Sequence, residues 1–266
     1  MALIEMTFAS DTLQRWTEVT VILPMEKAGN PDSIKPELFP SLYLLHGYSG
    51  NTKDWLTYSN IRLLAEQYNL AVIMPSGENG FYVDNEATEL RNGQFMKELV
   101  EYTRKIFPLS PDRDQTFIGG LSMGGFGALR NGMKYSELFG KIFSLSGAFI
   151  LDDIAGKKEG YRDAMAGYGY YSRIFGNLDI VKDTEKNPVI CAKAAIEKGI
   201  VPEIFMACGT EDFLRNNNRQ MQKSLQNLGL IPLYYEDTGS HDWTFWNTWM
   251  PKALEWIMKD ERQDIK

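Results

Sequence analysis

The chain has 266 residues, 44% of them hydrophobic, and a formal net charge of −7. That is enough for one large α/β domain or two small ones with a sizeable core. The acidic balance and the lack of a basic stripe exclude a generic nucleic-acid binder, and no apolar run approaches membrane-spanning length.

The amino-terminal stretch Met1-Ala2-Leu3-Ile4-Glu5-Met6-Thr7 lacks a basic region followed by an apolar block. The expectation is therefore a cytoplasmic protein without a membrane partner. Residues 2–8 and 16–23 read as two strands joined by a turn near Asp11, the second ending at Pro24. Residues 26–40 are rich in turn signals and read as a loop. Leu42-Tyr43-Leu44-Leu45 is a short apolar run that fits a strand buried on both faces. It ends in His46-Gly47-Tyr48-Ser49-Gly50. An amphipathic helix is expected over Asn60–Tyr68, then a buried strand over 70–74 closed by Pro75.

After a loop at 76–85, apolar residues at near-helical spacing predict one helix from Glu86 to Phe107, irregular near Gly93. A strand at 115–121, a helix after Ser122 and a strand at 141–146 follow. Residues 148–200 break the rhythm. They are rich in glycine and aromatics and read as a small cap inserted into a single domain. The alternation resumes with a strand at 203–207, a helix at about 214–228, a strand at 232–236 and a last helix at about 242–259. Only Asp260 to Lys266 read as disordered. Strands alternating with helices imply a mostly parallel sheet covered on both faces, with the first two strands antiparallel at one edge.

The chemistry centres on Gly120-Leu121-Ser122-Met123-Gly124. A β-rich run enters this G-x-S-x-G sequence and a helical run leaves it, which is the context that lifts a serine clear of a sheet. A serine hydroxyl needs a base, and the base needs a third group to orient it. In open α/β sheets such groups collect at the carboxyl ends of the strands. The sequence holds two histidines, His46 and His241, which also argues against a His-rich metal site. His241 comes after Ser122 in a loop at a strand's carboxyl end, as the order serine, acid, histidine requires. His46 comes before Ser122 and reads as structural.

For the acid, Glu211 and Asp212 both follow the preceding strand. The shorter Asp212, deeper in the turn, is preferred. Asp242 is better placed to support the last helix, and Asp237 to form a turn. Oxyanion donors are expected from the backbone N–H groups of Met123 and Tyr48, with Gly47 allowing close approach. Trp55, Tyr82 and Trp243 are candidates to line the substrate pocket. The aromatics between Tyr161 and Phe175 read equally well as pocket lining or as packing, and Trp246, Trp249 and Trp256 as packing on the sheet. The two cysteines, Cys191 and Cys208, do not suggest a disulfide-stapled fold, and Cys208 reads as a buried core thiol.

Four blocks together resemble the esterase D-like branch of the α/β-hydrolases. They are Leu44-Leu45-His46-Gly47-Tyr48-Ser49-Gly50-Asn51, Gly120 to Leu129, Cys208-Gly209-Thr210-Glu211-Asp212-Phe213-Leu214 and Gly239-Ser240-His241-Asp242-Trp243. That branch includes tributyrin-type carboxylesterases, acetylxylan and feruloyl esterases, and S-formylglutathione hydrolases. The resemblance implies the α/β-hydrolase fold and catalytic roles for Ser122, Asp212 and His241. It implies an ester or thioester substrate with a small acyl group, such as an acetyl or feruloyl ester of plant carbohydrate. It further implies no metal or organic cofactor, and a homo-oligomer. Mycolyltransferases resemble the same group, so acyl transfer is an alternative outcome. A binding protein on the same fold is the alternative of a different class.

Overall fold

The apolar runs become strands wherever turn residues bound them. A computed structural model describes residues 1–25, 38–85 and 88–259. In chain order its elements are β1 (Ala2–Ser10), β2 (Arg15–Leu23), β3 (Ser41–Leu45), α1 (Asp54–Tyr58), α2 (Ile61–Tyr68), β4 (Ala71–Pro75) and α3 (Asn92–Ile106). They continue with β5 (Thr116–Leu121), α4 (Met123–Lys134), β6 (Lys141–Leu145), α5 (Leu151–Ile154), α6 (Tyr168–Phe175), α7 (Pro188–Glu197), β7 (Glu203–Gly209), α8 (Arg215–Asn227), β8 (Leu233–Asp237) and α9 (Trp243–Met258). Most of the expected 26–40 loop, the start of the expected helix at Glu86 and the tail from Asp260 lie outside the described residues.

The strands form one eight-stranded sheet in the order β1-β2-β4-β3-β5-β6-β7-β8. β2 runs antiparallel to both β1 and β4, and the remaining neighbours pair in parallel. This is the mostly parallel sheet, antiparallel at one edge, that the alternation implied, and it agrees with the α/β-hydrolase fold that the resemblance implied. β3, β4, β5 and β6 are buried at every position, as parallel strands covered on both faces must be. Their side chains divide with period two. Tyr43 and Leu45 join a core with α3, α4, α7 and α8, whereas Leu42 and Leu44 join a second core with α2 and α9.

Two elements differ from expectation. α3 begins at Asn92 rather than near Glu86, because Asp84 accepts the N–H groups of Gly93 and Gln94 at 2.8 and 2.9 Å. The cap comes from a residue outside the helix and its local pattern. The 148–200 segment also contains more order than its composition suggested. α7 packs against α4 and supplies the crossover from β6 to β7. Its start carries ordinary signals: Asn187 accepts the N–H of Val189 at 3.0 Å, and Pro188 opens the first turn. The departure from the α/β rhythm therefore ends at about Asn187.

Arg130 anchors that departure to α4, the helix that follows Ser122. It lies on α4 at 0% exposure. Its guanidinium donates to the Glu185 carbonyl at 2.9 Å and to Asn131 Oδ1 at 2.7 Å.

At the opposite edge, Glu98 of α3 closes the β1–β2 turn. It accepts Ser10 Oγ at 2.6 Å and the Asp11 N–H at 2.7 Å, together with the hydroxyl of Thr12. Burial alone would raise this carboxyl, but the hydrogen bonds outweigh it and hold it below its ordinary range. A lowered folded value makes the carboxylate stabilising above its unfolded pKa of about 4.3, and that stability is lost as pH falls through the folded value. Glu98→Gln is expected to cost about 1 kcal/mol near neutral pH. Urea unfolding should show the difference between variant and native protein shrinking as pH falls below about 4.3.

Candidate active site

The site begins with the turn after β5. Ser122 holds φ 52° and ψ −119°, a conformation that costs a non-glycine residue on the order of 1–3 kcal/mol. Neighbouring strands and loops hold it there. Its N–H donates to the Leu145 carbonyl at 2.9 Å, and its own carbonyl accepts Phe126 N–H at 3.0 Å and Ala148 N–H at 2.9 Å. The two flanking glycines are required by close backbone approach. A Cβ on Gly124 would lie 2.4 Å from the Leu45 carbonyl oxygen, and one on Gly120 would lie 2.6 Å from the Gly124 carbonyl carbon.

Sheet register brings the other groups to the same end. Leu121 pairs with Leu145, Leu145 with Ala207, and Gly209 with Asp237. The loops that carry Ser122, Asp212 and His241 therefore leave the sheet from its carboxyl edge. His241 Nε2 lies 3.0 Å from Ser122 Oγ, and His241 Nδ1 lies 2.9 Å from Asp212 Oδ2. A carboxylate opposite Nδ1 makes that nitrogen the N–H, so the Nε2 lone pair faces the serine hydroxyl.

Asp212 is buried. Burial would raise its carboxyl, yet hydrogen bonds from His241, the Leu214 N–H and Ser146 hold it below the usual carboxylate range. Glu211 points elsewhere and ties the two loops together. Its Oε2 accepts Gly239 N–H at 2.7 Å, while its own N–H donates to the Gly239 carbonyl at 3.0 Å. Asp242 caps α9 by accepting Phe245 N–H at 3.0 Å. Asp237 stays in the turn, accepting Thr238 N–H at 2.8 Å.

The loop after β3 runs beside the serine because Leu45 pairs with Gly120. A Cβ on Gly47 would sit 3.5 Å from the Ser122 Cβ. His46 braces this loop. Its Nε2 accepts Gly77 N–H at 2.9 Å, so Nδ1 carries the proton and donates to the Gly47 carbonyl at 2.7 Å. Burial pushes its pKa down, which keeps the ring neutral. Tyr48 follows on this loop, and Met123 opens α4, whose first N–H groups have no intrahelical partner.

Two of the three expected pocket residues are elsewhere. Trp55 is 1% exposed and Tyr82 is 0% exposed. Each buried ring must satisfy its polar atom. Trp55 Nε1 donates to the Leu45 carbonyl at 3.1 Å, and the Tyr82 hydroxyl donates to the His46 carbonyl at 3.1 Å. They hold the loop from beneath and present no face to a ligand. Trp243 is half-buried, with its ring 5.3 Å from that of Tyr58. Of the aromatics in the insertion, Tyr171 and Phe175 are core residues. Tyr170 stands edge-on to Tyr48 at 5.7 Å and donates to the Asn79 carbonyl at 2.6 Å. Both cysteines are free and buried.

Residues 10–257 match the Esterase family. The chain belongs to that family. An acetyl esterase from Caldicellulosiruptor saccharolyticus is 46% identical, over 97% of this chain and 99% of that protein. Two solved structures from Staphylococcus aureus are each 28% identical, covering 97% of this chain and 99% of theirs. They are the substrate-bound fluorophosphonate-binding serine hydrolase F, with a TM-score of 0.85, and an S-formylglutathione hydrolase, with a TM-score of 0.82.

Several supports of this site carry no local sequence signal. Arg130 and the Glu211 clamp are charged residues whose partners are distant in sequence or on the backbone, so no local pattern reveals them. Trp246, expected only to pack, also donates its indole N–H to Ser146 Oγ at 3.1 Å. Gly124→Ala is expected to push the β3 loop away from Ser122, costing about 1–3 kcal/mol by overpacking and about 10²-fold or more in kcat by displacing the Tyr48 and Met123 N–H groups that are expected to bind an oxyanion. Thermal unfolding and p-nitrophenyl acetate turnover measure the two effects separately.

Proposed function

We propose that this protein is a serine carboxylesterase that hydrolyses short-chain acyl esters, acetyl esters foremost, through an acyl-enzyme. The observation that carries this reading is the unbroken hydrogen-bond chain from Ser122 Oγ through His241 to Asp212, at 3.0 and 2.9 Å. The 46% identity to an acetyl esterase along nearly the whole chain supports the acetyl group.

In this mechanism Ser122 Oγ attacks the ester carbonyl while its proton passes to His241 Nε2. Asp212 holds the imidazole in the required tautomer and stabilises the imidazolium. The N–H groups of Tyr48 and Met123 donate to the oxyanion of the tetrahedral intermediate. Collapse breaks the bond to the alcohol oxygen, which takes the proton from Nε2 and leaves. Water then enters, gives a proton to Nε2 and attacks the acyl-enzyme. Collapse of the second intermediate breaks the bond from the acyl carbon to Ser122 Oγ, which takes the proton back from Nε2, and the acid leaves.

A small-molecule or carbohydrate ester as substrate, a cytoplasmic location and a homo-oligomer belong to the same reading. Among the described residues no helix is long and apolar enough to cross a membrane. The likeness to an S-formylglutathione hydrolase favours a second reading, in which the preferred substrate is a formyl thioester.

Ser122→Ala is expected to lower p-nitrophenyl acetate turnover by about 10⁴-fold or more with the circular-dichroism spectrum unchanged. Turnover at the native rate would overturn the mechanism. A panel of p-nitrophenyl esters, acetylated xylan, methyl ferulate and S-formylglutathione separates the two readings. The highest kcat/KM is expected for an acetyl ester, and a strong thioester preference would select the second.

A further inference from the structure

Two rings of opposite character stand against the imidazole of His241. Trp246 is buried, with its ring 5.1 Å from the imidazole at 86°. Phe213 is 74% exposed, with its ring 4.6 Å away at 49°. Phe213 is held by the turn that holds the acid. The Asp212 N–H donates to the Gly209 carbonyl at 3.2 Å, and the Leu214 N–H donates to Asp212 Oδ1 at 2.8 Å. The backbone on both sides of Phe213 is thereby fixed, and its ring is presented outward beside the histidine rather than packed into either core.

The chemistry of the site gives that position a consequence. The leaving oxygen of an ester must come within hydrogen-bond reach of Nε2 to receive its proton. The rest of the alcohol therefore extends past the imidazole, where the exposed Phe213 ring stands. We infer that Phe213 is the wall of an alcohol-side subsite that takes a ring with an apolar face, either an aryl ring or the C–H face of a sugar. Covering this ring removes apolar surface from water on both partners, a gain available only when such an alcohol is bound. The inference rests on the serine-esterase reading above and assigns the side of the site that the acyl group does not occupy.

The acyl-enzyme has already released its alcohol, so the subsite acts on acylation and not on deacylation. In Phe213→Ala, kcat/KM for phenyl acetate and for an acetylated methyl xyloside is expected to fall about tenfold more than that for methyl acetate. It is also expected to fall about tenfold more than the single-turnover rate of acetyl-enzyme hydrolysis. Phe213→Trp should restore the preference. A fall confined to phenyl acetate, or to the xyloside, names which ring the subsite takes. An equal fall for methyl acetate and for deacylation would mean that Phe213 only steadies the imidazole, and would overturn the inference. So would unchanged ratios in a variant that still reacts at Ser122 with a fluorophosphonate. If the native protein is not labelled at Ser122, the serine-esterase reading fails and the subsite falls with it.

Discussion

Everything at the carboxyl edge of this sheet depends on how closely α4 approaches β3. Ser122 reaches its strained backbone angles only because β5 turns directly into a helix whose first residues lie against the end of β3. No side chain fits in that contact: at Gly124 a Cβ would meet the Leu45 and His46 carbonyl oxygens at 2.4 and 2.6 Å. The cost of the turn is local, and it is offset by bonds to Ser122 from β6, from the following helix and from the loop at Ala148. Because the strain is shared among elements far apart in sequence, the serine is held only in the assembled sheet.

The same edge divides buried support from open surface. Asp212, His46, Trp55 and Tyr82 are buried, and each has its polar atoms occupied by named partners. A buried polar group left unpaired is costly, so every such partner also restricts a loop. His46 and Tyr82 brace the loop carrying Tyr48, while Glu211 and Asp212 brace the loop carrying His241. Above this floor, Phe213 and Trp243 retain exposed surface. Rigid positioning below and accessible apolar surface above is the division that a site needs if it is to hold reacting groups still and still admit varied alcohols.

The insertion between β6 and α7 is joined to the site by more than chain connectivity. Arg130, about two turns into α4, fixes Glu185, and Tyr170 is fixed to both the Tyr48 ring and the Asn79 carbonyl. Phe175 packs its ring 5.0 Å from Phe81 and 6.1 Å from Phe126. The insertion is thereby packed against the loop and the helix that flank Ser122.

Much of this was readable in the residues alone. Leu42 to Leu45 and Leu70 to Met74 announce buried strands by unbroken apolarity, and Gly120 to Gly124 announces the turn by its flanks. His241 emerges from a choice between two histidines, because chain order relates a residue to strand ends. Local physics sufficed in these cases: a strand that is apolar on both faces has to be interior, and a glycine-flanked serine between strand and helix has few conformations open to it. Other features needed the tertiary structure. Asp84 caps a helix from eight residues before its start, α7 is recognised as a crossover by the helix it packs on, and Trp55 and Tyr82 look like pocket residues until burial turns them inward. An aromatic side chain has the same composition whether it faces a ligand or a core. Which face it takes is decided by carbonyls and glycines that arrive from other strands, and those meet only when the sheet has formed.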